Sequence, residues 1–510
     1  MKHMKLKVLA AAVLAIGASS AFAKATPTTC DATTSLSLVN TCTPEVTLYV
    51  AGSSALGGAI STTIATEFAS GYTTVIDNGS PSGNQGNLVG TSTANNSAVS
   101  AWYGIGATGT AAAGKRLLVV YNNQNGSAAG ISQLLSGIKD TTIPEQDVVT
   151  VGPLVAAGGA VATAQSKAFV ANACTLPSTS APTTVSCTSH ARTQADLGIS
   201  DVAPVELFAL EGAKPAAIST LTNYPLAMQG FGVAVNNNFY LALQNAQATA
   251  LTAGGCAASF PLSAVDTTAA CQPSIRKADY TSLVSTTGSV KSAAGFIPGD
   301  ATLLTLARRD DFSGTQASSN IFFLDNACGV ATTGTGTAKE KAIKGVLGGA
   351  LTPLVTTPDA TKLVVHLNAT SGGVKTDLAA STGYTIGIIG LNTLPAGTWK
   401  YVKVDGVSPD GAGADAKQRN AFTTGYYEFA VESYASVSSK AAKTSVANTG
   451  NTYHALVTEM VNALKNSNGN LKGIGYLDKA ATDHTPLTTA GVQSTVTRTA
   501  GNNCSPLTAY

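Results

Sequence analysis

Charge is scarce in this sequence. Asp, Glu, Lys and Arg make up 11% of 510 residues, against about a quarter in ordinary globular chains. With 30 basic and 28 acidic side chains, no stripe of one sign exists to hold a nucleic acid or an anionic membrane surface, and any anion affinity must come from a local site. No Cys-x-x-Cys occurs, which argues against a zinc ribbon or a thioredoxin-like redox site. The chain also lacks the G-x-S-x-G turn of serine hydrolases and the His-Glu-x-x-His of zinc proteases, and with them the usual nucleophile and metal chemistry. His190, His366, His454 and His484 are scattered. Trp102 and Trp399 stand alone, so no stacking platform for sugars is expected, and both read as packing residues. After the first 23 residues, no run is apolar and long enough to span a bilayer.

The N-terminus carries the pattern of a secretory signal. Lys2, Lys5 and Lys7 precede an apolar run from Val8 to Ile16, and Ala21-Phe22-Ala23 forms a small-x-small cleavage site. Cleavage after Ala23 is expected, with residues 24–43 as an N-terminal extension and a periplasmic or secreted location. Without residues 1–23, 27 basic groups face 28 acidic ones, so the mature chain is close to neutral. All eight cysteines lie beyond the cleavage site, and an even count in an exported chain points to disulfides. Short spacing pairs Cys30 with Cys42, Cys174 with Cys187 and Cys256 with Cys271. Elimination leaves Cys328 with Cys504.

One local theme recurs. Val46 to Val50 reads as a strand, Gly52-Ser53-Ser54 as a turn, and Leu56, Ile60, Ile64 and Phe68 as one face of a helix. Leu117 to Tyr121, Asn125-Gly126-Ser127, and Ile131, Leu134, Leu135 and Ile138 repeat it. Leu303 to Leu306, Ser313-Gly314-Thr315 and a helix through Ile321 repeat it again. Leu456, Val457, Met460, Val461 and Leu464 mark a helix near the end. Strands alternating with helices predict an α/β fold with largely parallel sheets. The Ser/Thr/Gly/Ala-rich stretches 78–115, 156–192 and 332–339 read as surface loops.

Each turn opens a helix. A helix N-terminus presents unpaired N–H groups and a partial positive charge, both suited to an anion, although Ser and Thr there are also ordinary caps. The third turn adds Arg309, four residues before Ser313, whose planar fork matches two oxyanion oxygens. Asp311 is placed to hold that arginine. Asp201, in Gly198-Ile199-Ser200-Asp201-Val202-Ala203-Pro204, is an acid that suits an oxyanion still carrying a proton, since a carboxylate accepts hydrogen bonds and cannot donate them. The plain reading of Asp201 is a turn residue.

Taken in order, 46–68, 117–138, 198–204, 224–236 and 307–315 resemble the periplasmic phosphate-binding proteins of ABC-type phosphate uptake. The resemblance continues through Tyr384–Gly390, the final helix and Gly475–Ala480. Its most specific block is Arg-Arg-x-Asp-x-Ser-Gly-Thr, at Arg308, Arg309, Asp311, Ser313, Gly314 and Thr315. The chain departs from the pattern where Ala55 replaces an aromatic residue, where Val202 intervenes between Asp201 and Ala203, and in its greater length. The resemblance implies a two-lobed type II periplasmic-binding fold with the ligand cleft between the lobes. One lobe would span 44–236 and 421–510, and the other 237–420. It implies ligand contacts from the hydroxyl and amide of Ser54, the amide of Ala55, and from Ser127, Asp201, Arg309, Ser313, Gly314 and Thr315, with Asp311 orienting Arg309. The expected ligand is inorganic phosphate or a similar tetrahedral oxyanion. An ABC-type permease is the implied partner. No cofactor, metal or catalysis is implied, and the chain is expected to be a monomer. A secreted structural protein on the same fold, with binding weakened or lost, is the alternative; a phosphatase would need a nucleophile or metal ligands that the sequence does not offer.

Overall fold

The computed structural model describes residues 44–69, 73–77, 86–88, 99–123, 126–134, 174–175, 184–187, 195–209, 216–290, 292–311, 313–326, 328, 346–347, 352–353, 363–368, 370–380, 382–409, 421–439, 443–466, 474–476, 492–494, 496–498 and 502–509. The signal segment, Cys30 and Cys42 lie outside them.

The alternation of β-branched and aromatic residues in Val46–Gly52 (β1) serves two faces at once. Val46, Leu48 and Val50 enter one apolar cluster, and Tyr49 and Ala51 another. Arg116–Asn122 (β2) does the same, with Leu117, Val119 and Tyr121 on one side and Leu118 and Val120 on the other. Strands buried on both faces are those of a parallel sheet covered by helices. β1 accordingly runs parallel to β2 and to Leu197–Ser200 (β3). The helix Gly57–Thr66 (α1) follows β1 and buries Ile60 and Ile64, as its four-residue spacing predicts. Gly126–Leu134 (α2) follows β2 and buries Ile131 and Leu134. Leu135 and Ile138 lie outside the described residues.

Leu221–Asn236 (β4) is a 16-residue strand, long enough at about 3.3 Å per residue to serve two sheets. Its first part, up to Gly230, pairs antiparallel with the late strand Ala430–Ser438, and its remainder pairs with Tyr384–Gly390 and Trp399–Tyr401. The second sheet also holds Leu304–Arg309 (β5), parallel both to Leu363–Asn368 (β6) and to Tyr384–Gly390 (β7). The late strand Ala430–Ser438 (β8) lies antiparallel between β3 and β4. The order β2–β1–β3–β8–β4, with β4 continuing into a second sheet, is the mixed α/β arrangement with parallel strands that the strand–helix alternation predicts. The switch between sheets falls inside β4, at Gly230–Phe231. The final helix, Thr452–Asn466, buries Leu456, Val457, Met460, Val461 and Leu464 against the first sheet.

Two stretches read as loops contain strands. Val99–Ile105 pairs antiparallel with β2 and with Thr73–Asp77, and it buries Trp102 completely. Cys174–Thr175 pairs antiparallel with Thr184–Cys187, with Cys174 opposite Cys187. In both, the strands are short and their pairing, rather than the composition of the stretch around them, decides the structure. The segment 332–339 lies outside the described residues. Cys256–Cys271 and Cys328–Cys504 are disulfide-bonded as the spacing and elimination predict. Among the described residues, no helix is long and apolar enough to cross a membrane.

Candidate anion site

The first turn is built by close backbone approach. Gly52, with φ of +133°, ends β1 where a Cβ would lie 1.9 Å from the Ile199 carbonyl oxygen, so only glycine lets β1 and β3 converge there. The Ser53 N–H then donates to that carbonyl at 2.9 Å. The Ser53 Oγ accepts from the Leu56 N–H at 3.0 Å and donates to Asp201 Oδ1. The Tyr121 hydroxyl donates to the Ser53 carbonyl. At the second turn, the Ser127 Oγ accepts from the Asp201 N–H at 3.1 Å. The two turns and the acid after β3 therefore form one hydrogen-bonded unit at the carboxyl ends of parallel strands, where α/β sheets bind ligands.

The third turn comes from the other sheet. β5 ends at Arg309, and Gly314–Leu324 (α3) begins with Ser313 as N-cap, its Oγ accepting from the Gln316 N–H at 3.4 Å. Thr315 Oγ1 donates to Asp201 Oδ2 at 3.3 Å. Gly314 meets the turns of the first sheet so closely that a Cβ would lie 2.2 Å from Ser127 Oγ and 2.6 Å from Asp201 Cβ. Neighbouring strand residues point to opposite faces, so Arg308 and Arg309 part company. Arg309 donates through Nε to the Asn368 carbonyl at 3.1 Å, and through Nη1 to Ser54 Oγ at 3.3 Å and to Ser371 Oγ at 2.9 Å. Ser371 opens the helix Ser371–Ala380.

Asp311, expected to orient Arg309, makes its ion pair with Arg308. Asp311 Oδ1 lies 2.5 Å from Arg308 Nη2, because it falls on the Arg308 side of the strand end. The acids whose charge bears on Arg309 are Asp310 and Asp201. Ser127, Asp201, Arg309, Ser313, Gly314 and Thr315 are thus brought to one point, with Ser54 joined through Arg309. Ala55 follows in the same turn, buried, and its carbonyl accepts from Asn392 Nδ2. Ser53 and Ser371 were not singled out from the sequence. Ser53 differs from Ser54 only by facing the acid, and Ser371 is recruited from a helix outside the recurring turn pattern.

Burial governs the electrostatics. Ser53, Ser127, Asp201, Arg309, Ser313 and Thr315 are each at most 2% exposed. Desolvation pushes the Asp201 carboxyl up to about 6, against the opposing pull of Ser53, Arg309 and Thr315. Burial likewise draws the Arg309 guanidinium below its usual value, opposed by Asp310 and Asp201. The arrangement joins three helix N-termini, one fully buried guanidinium and one acceptor carboxylate. Chemically, it can donate to several oxygens of an anion and accept one hydrogen bond from it. A larger cavity of about 520 Å³ lies elsewhere, along α3 and the C-terminal tail.

The sequence matches no protein-family model and no curated protein. Among solved structures, a possible phosphate binding protein from Planctomyces limnophilus is similar at 13% identity, covering 54% of this chain and 72% of its own, with a TM-score of 0.28. An ABC-type phosphate transport receptor from Vibrio cholerae is similar at 14% identity, covering 53% of this chain and 77% of its own, also with a TM-score of 0.28.

Proposed function

We propose that this chain is an exported solute-binding protein that encloses inorganic phosphate between its two lobes and presents it to an ABC-type permease. The observation that carries the proposal is the meeting of two second-lobe side chains with the first lobe, Arg309 with Ser54 and Thr315 with Asp201, whose N–H is held by Ser127, at the turns before α1, α2 and α3. In this reading Ser54, the amide of Ala55, Ser127, Arg309, Ser313, Gly314 and Thr315 donate to phosphate oxygens. Asp201 accepts the hydrogen bond of the protonated oxygen. Asp310 and Asp201 balance the arginine, and Asn368 and Ser371 aim it. Because the contacts come from both lobes, the anion favours the closed state over the open one.

The second reading, a structural protein with lost binding, has one observation in its favour. The Asp201 carboxylate already accepts from two protein hydroxyls, one on each oxygen. A carboxylate has about four acceptor positions, so two remain for a ligand. Thermal unfolding in phosphate separates the readings. A ligand present at a hundred times its Kd stabilises the native state by about 2.7 kcal/mol, so Tm should rise with phosphate concentration. A Tm indifferent to millimolar phosphate supports the structural reading.

A further inference from the structure

A guest can reach a site whose groups are at most 2% exposed only if the lobes separate, and a covalent bond crosses the line along which they would part. Cys328 follows α3, the second-lobe helix whose N-terminus forms the third turn, and it is bonded to Cys504 of the C-terminal tail. That tail belongs to the first lobe by its hydrogen bonds. Asn503 Nδ2 donates to Glu206 Oε2 at 2.8 Å, and its Oδ1 accepts from the Glu432 N–H at 2.7 Å. Arg498 Nη2 donates to the Ala430 carbonyl at 2.8 Å. Glu206 lies in the first turn of the helix Pro204–Ala209, just after Asp201, and Glu432 and Ala430 lie on β8. Asn503, Glu206 and Glu432 are fully buried, so the tail is anchored rather than draped. Beside the bond, Phe322 of α3 stacks on Phe429 at the start of β8, with ring centroids 4.7 Å apart.

We propose that the Cys328–Cys504 disulfide is an interlobe latch that restricts opening of the anion site to a pivot about the far end of α3. The helix has 11 residues and spans about 16 Å. Its N-terminus can therefore swing away from Ser127 and Asp201 while its C-terminal end stays tied to the first lobe. The latch is within reach of thiol chemistry. Both sulfur-bearing residues are partly exposed and line the groove of about 520 Å³, together with Phe322, Glu428, Arg498 and Leu507. A dithiol reductant would open it by exchange. The S–S bond breaks, two electrons and two protons pass to Cys328 and Cys504 as thiols, and the reductant leaves as its own disulfide.

The test reads opening in the absence of anion, so it stands apart from the phosphate reading. The double variant Cys328→Ser/Cys504→Ser is compared with wild type and with Cys256→Ser/Cys271→Ser, which removes a bond within residues 256–271. Small-angle scattering gives the radius of gyration, and amide exchange reports the first turn of α3. The latch variant should show a larger radius and exchange about tenfold faster at Thr315–Ala317, and the control variant neither. Equal radius and equal exchange in latch variant and wild type overturn the proposal, as does an equal change in the control. If the latch variant does not fold, wild type with this bond cleaved by limiting dithiol and alkylated, the site verified by peptide mass, is measured the same way and judged by the same outcomes. Phosphate titration of the same samples is a separate arm: no binding in any of them refutes the phosphate reading and leaves the latch judged on exchange alone.

Discussion

Gly314→Ala adds one methyl group at the point where the lobes touch. In the closed protein that carbon would lie 2.2 Å from Ser127 Oγ, 2.6 Å from Asp201 Cβ and 2.8 Å from Asp201 Cγ. Ser127 and Asp201 are tied to each other and to Ser53, so neither can yield freely. Overpacking of this kind costs about 1–3 kcal/mol. A two-lobed protein can relieve the clash by staying ajar, and the cost then appears as lost affinity of about fivefold to 150-fold rather than as lost stability. Alanine is the better helix former at the start of α3 by up to about 1 kcal/mol, which offsets any local strain. The variant should unfold at or near the wild-type temperature while titration calorimetry shows the weakened phosphate binding. Full affinity in Gly314→Ala would show that the α3 turn does not press on Ser127 and Asp201 in the bound state, and the site would have to be redrawn.

Arg309→Ala should abolish measurable phosphate binding. Arg308→Ala should leave affinity within about threefold but lower stability by about 1–3 kcal/mol, since it removes a buried guanidinium and its ion pair with Asp311; equal affinities in the two variants, read by calorimetry, would remove Arg309 from the site. Acidity should stabilise the fold. Burial raises Asp201 and Asp196 from 3.8 to about 6, and Glu67 and Glu206 from 4.5 to about 7. The folded state takes up these protons more readily than the unfolded chain, so their contribution is complete below about pH 4 and is lost as pH rises through 6 to 7. Tm should therefore fall between pH 5 and pH 8 in anion-free buffer, and a flat or rising Tm over that range contradicts the buried-acid account.

Much of this molecule is legible in its residues, and the illegible part has identifiable causes. Strands β1, β2 and β5 and the helices after them follow from apolar runs and spacings that local physics enforces. Glycine, serine and threonine at three strand ends mark the places where helix N-termini gather. What local pattern cannot reveal is the side a residue faces when two like residues are adjacent. Ser53 and Ser54 are both hydroxyls in one turn, yet the first meets Asp201 and the second Arg309. Arg308 and Arg309 point to opposite faces of β5, which is why Asp311 is drawn to the former. Ser371 and the carbonyl of Asn368 reach Arg309 only through the packing of β6 beside β5. The division of the crossing strand β4 between two sheets is decided by partners more than 150 residues downstream.

The measurement that bears most directly on the site is a competition titration of phosphate against sulfate at pH 8, on wild type and on Asp201→Asn. At that pH the Asp201 carboxyl, raised to about 6, is ionised. It can accept the hydrogen bond of a protonated phosphate oxygen, while sulfate offers it only lone pairs. An unmatched buried acceptor costs about 1–3 kcal/mol, more when charged, which amounts to about fivefold discrimination or better. Wild type should bind phosphate and exclude sulfate, and Asp201→Asn should narrow the gap because an amide can donate as well as accept. Sulfate binding as tight as phosphate binding in the wild type would contradict the placement of Asp201 against the ligand, and with it the phosphate reading of the site.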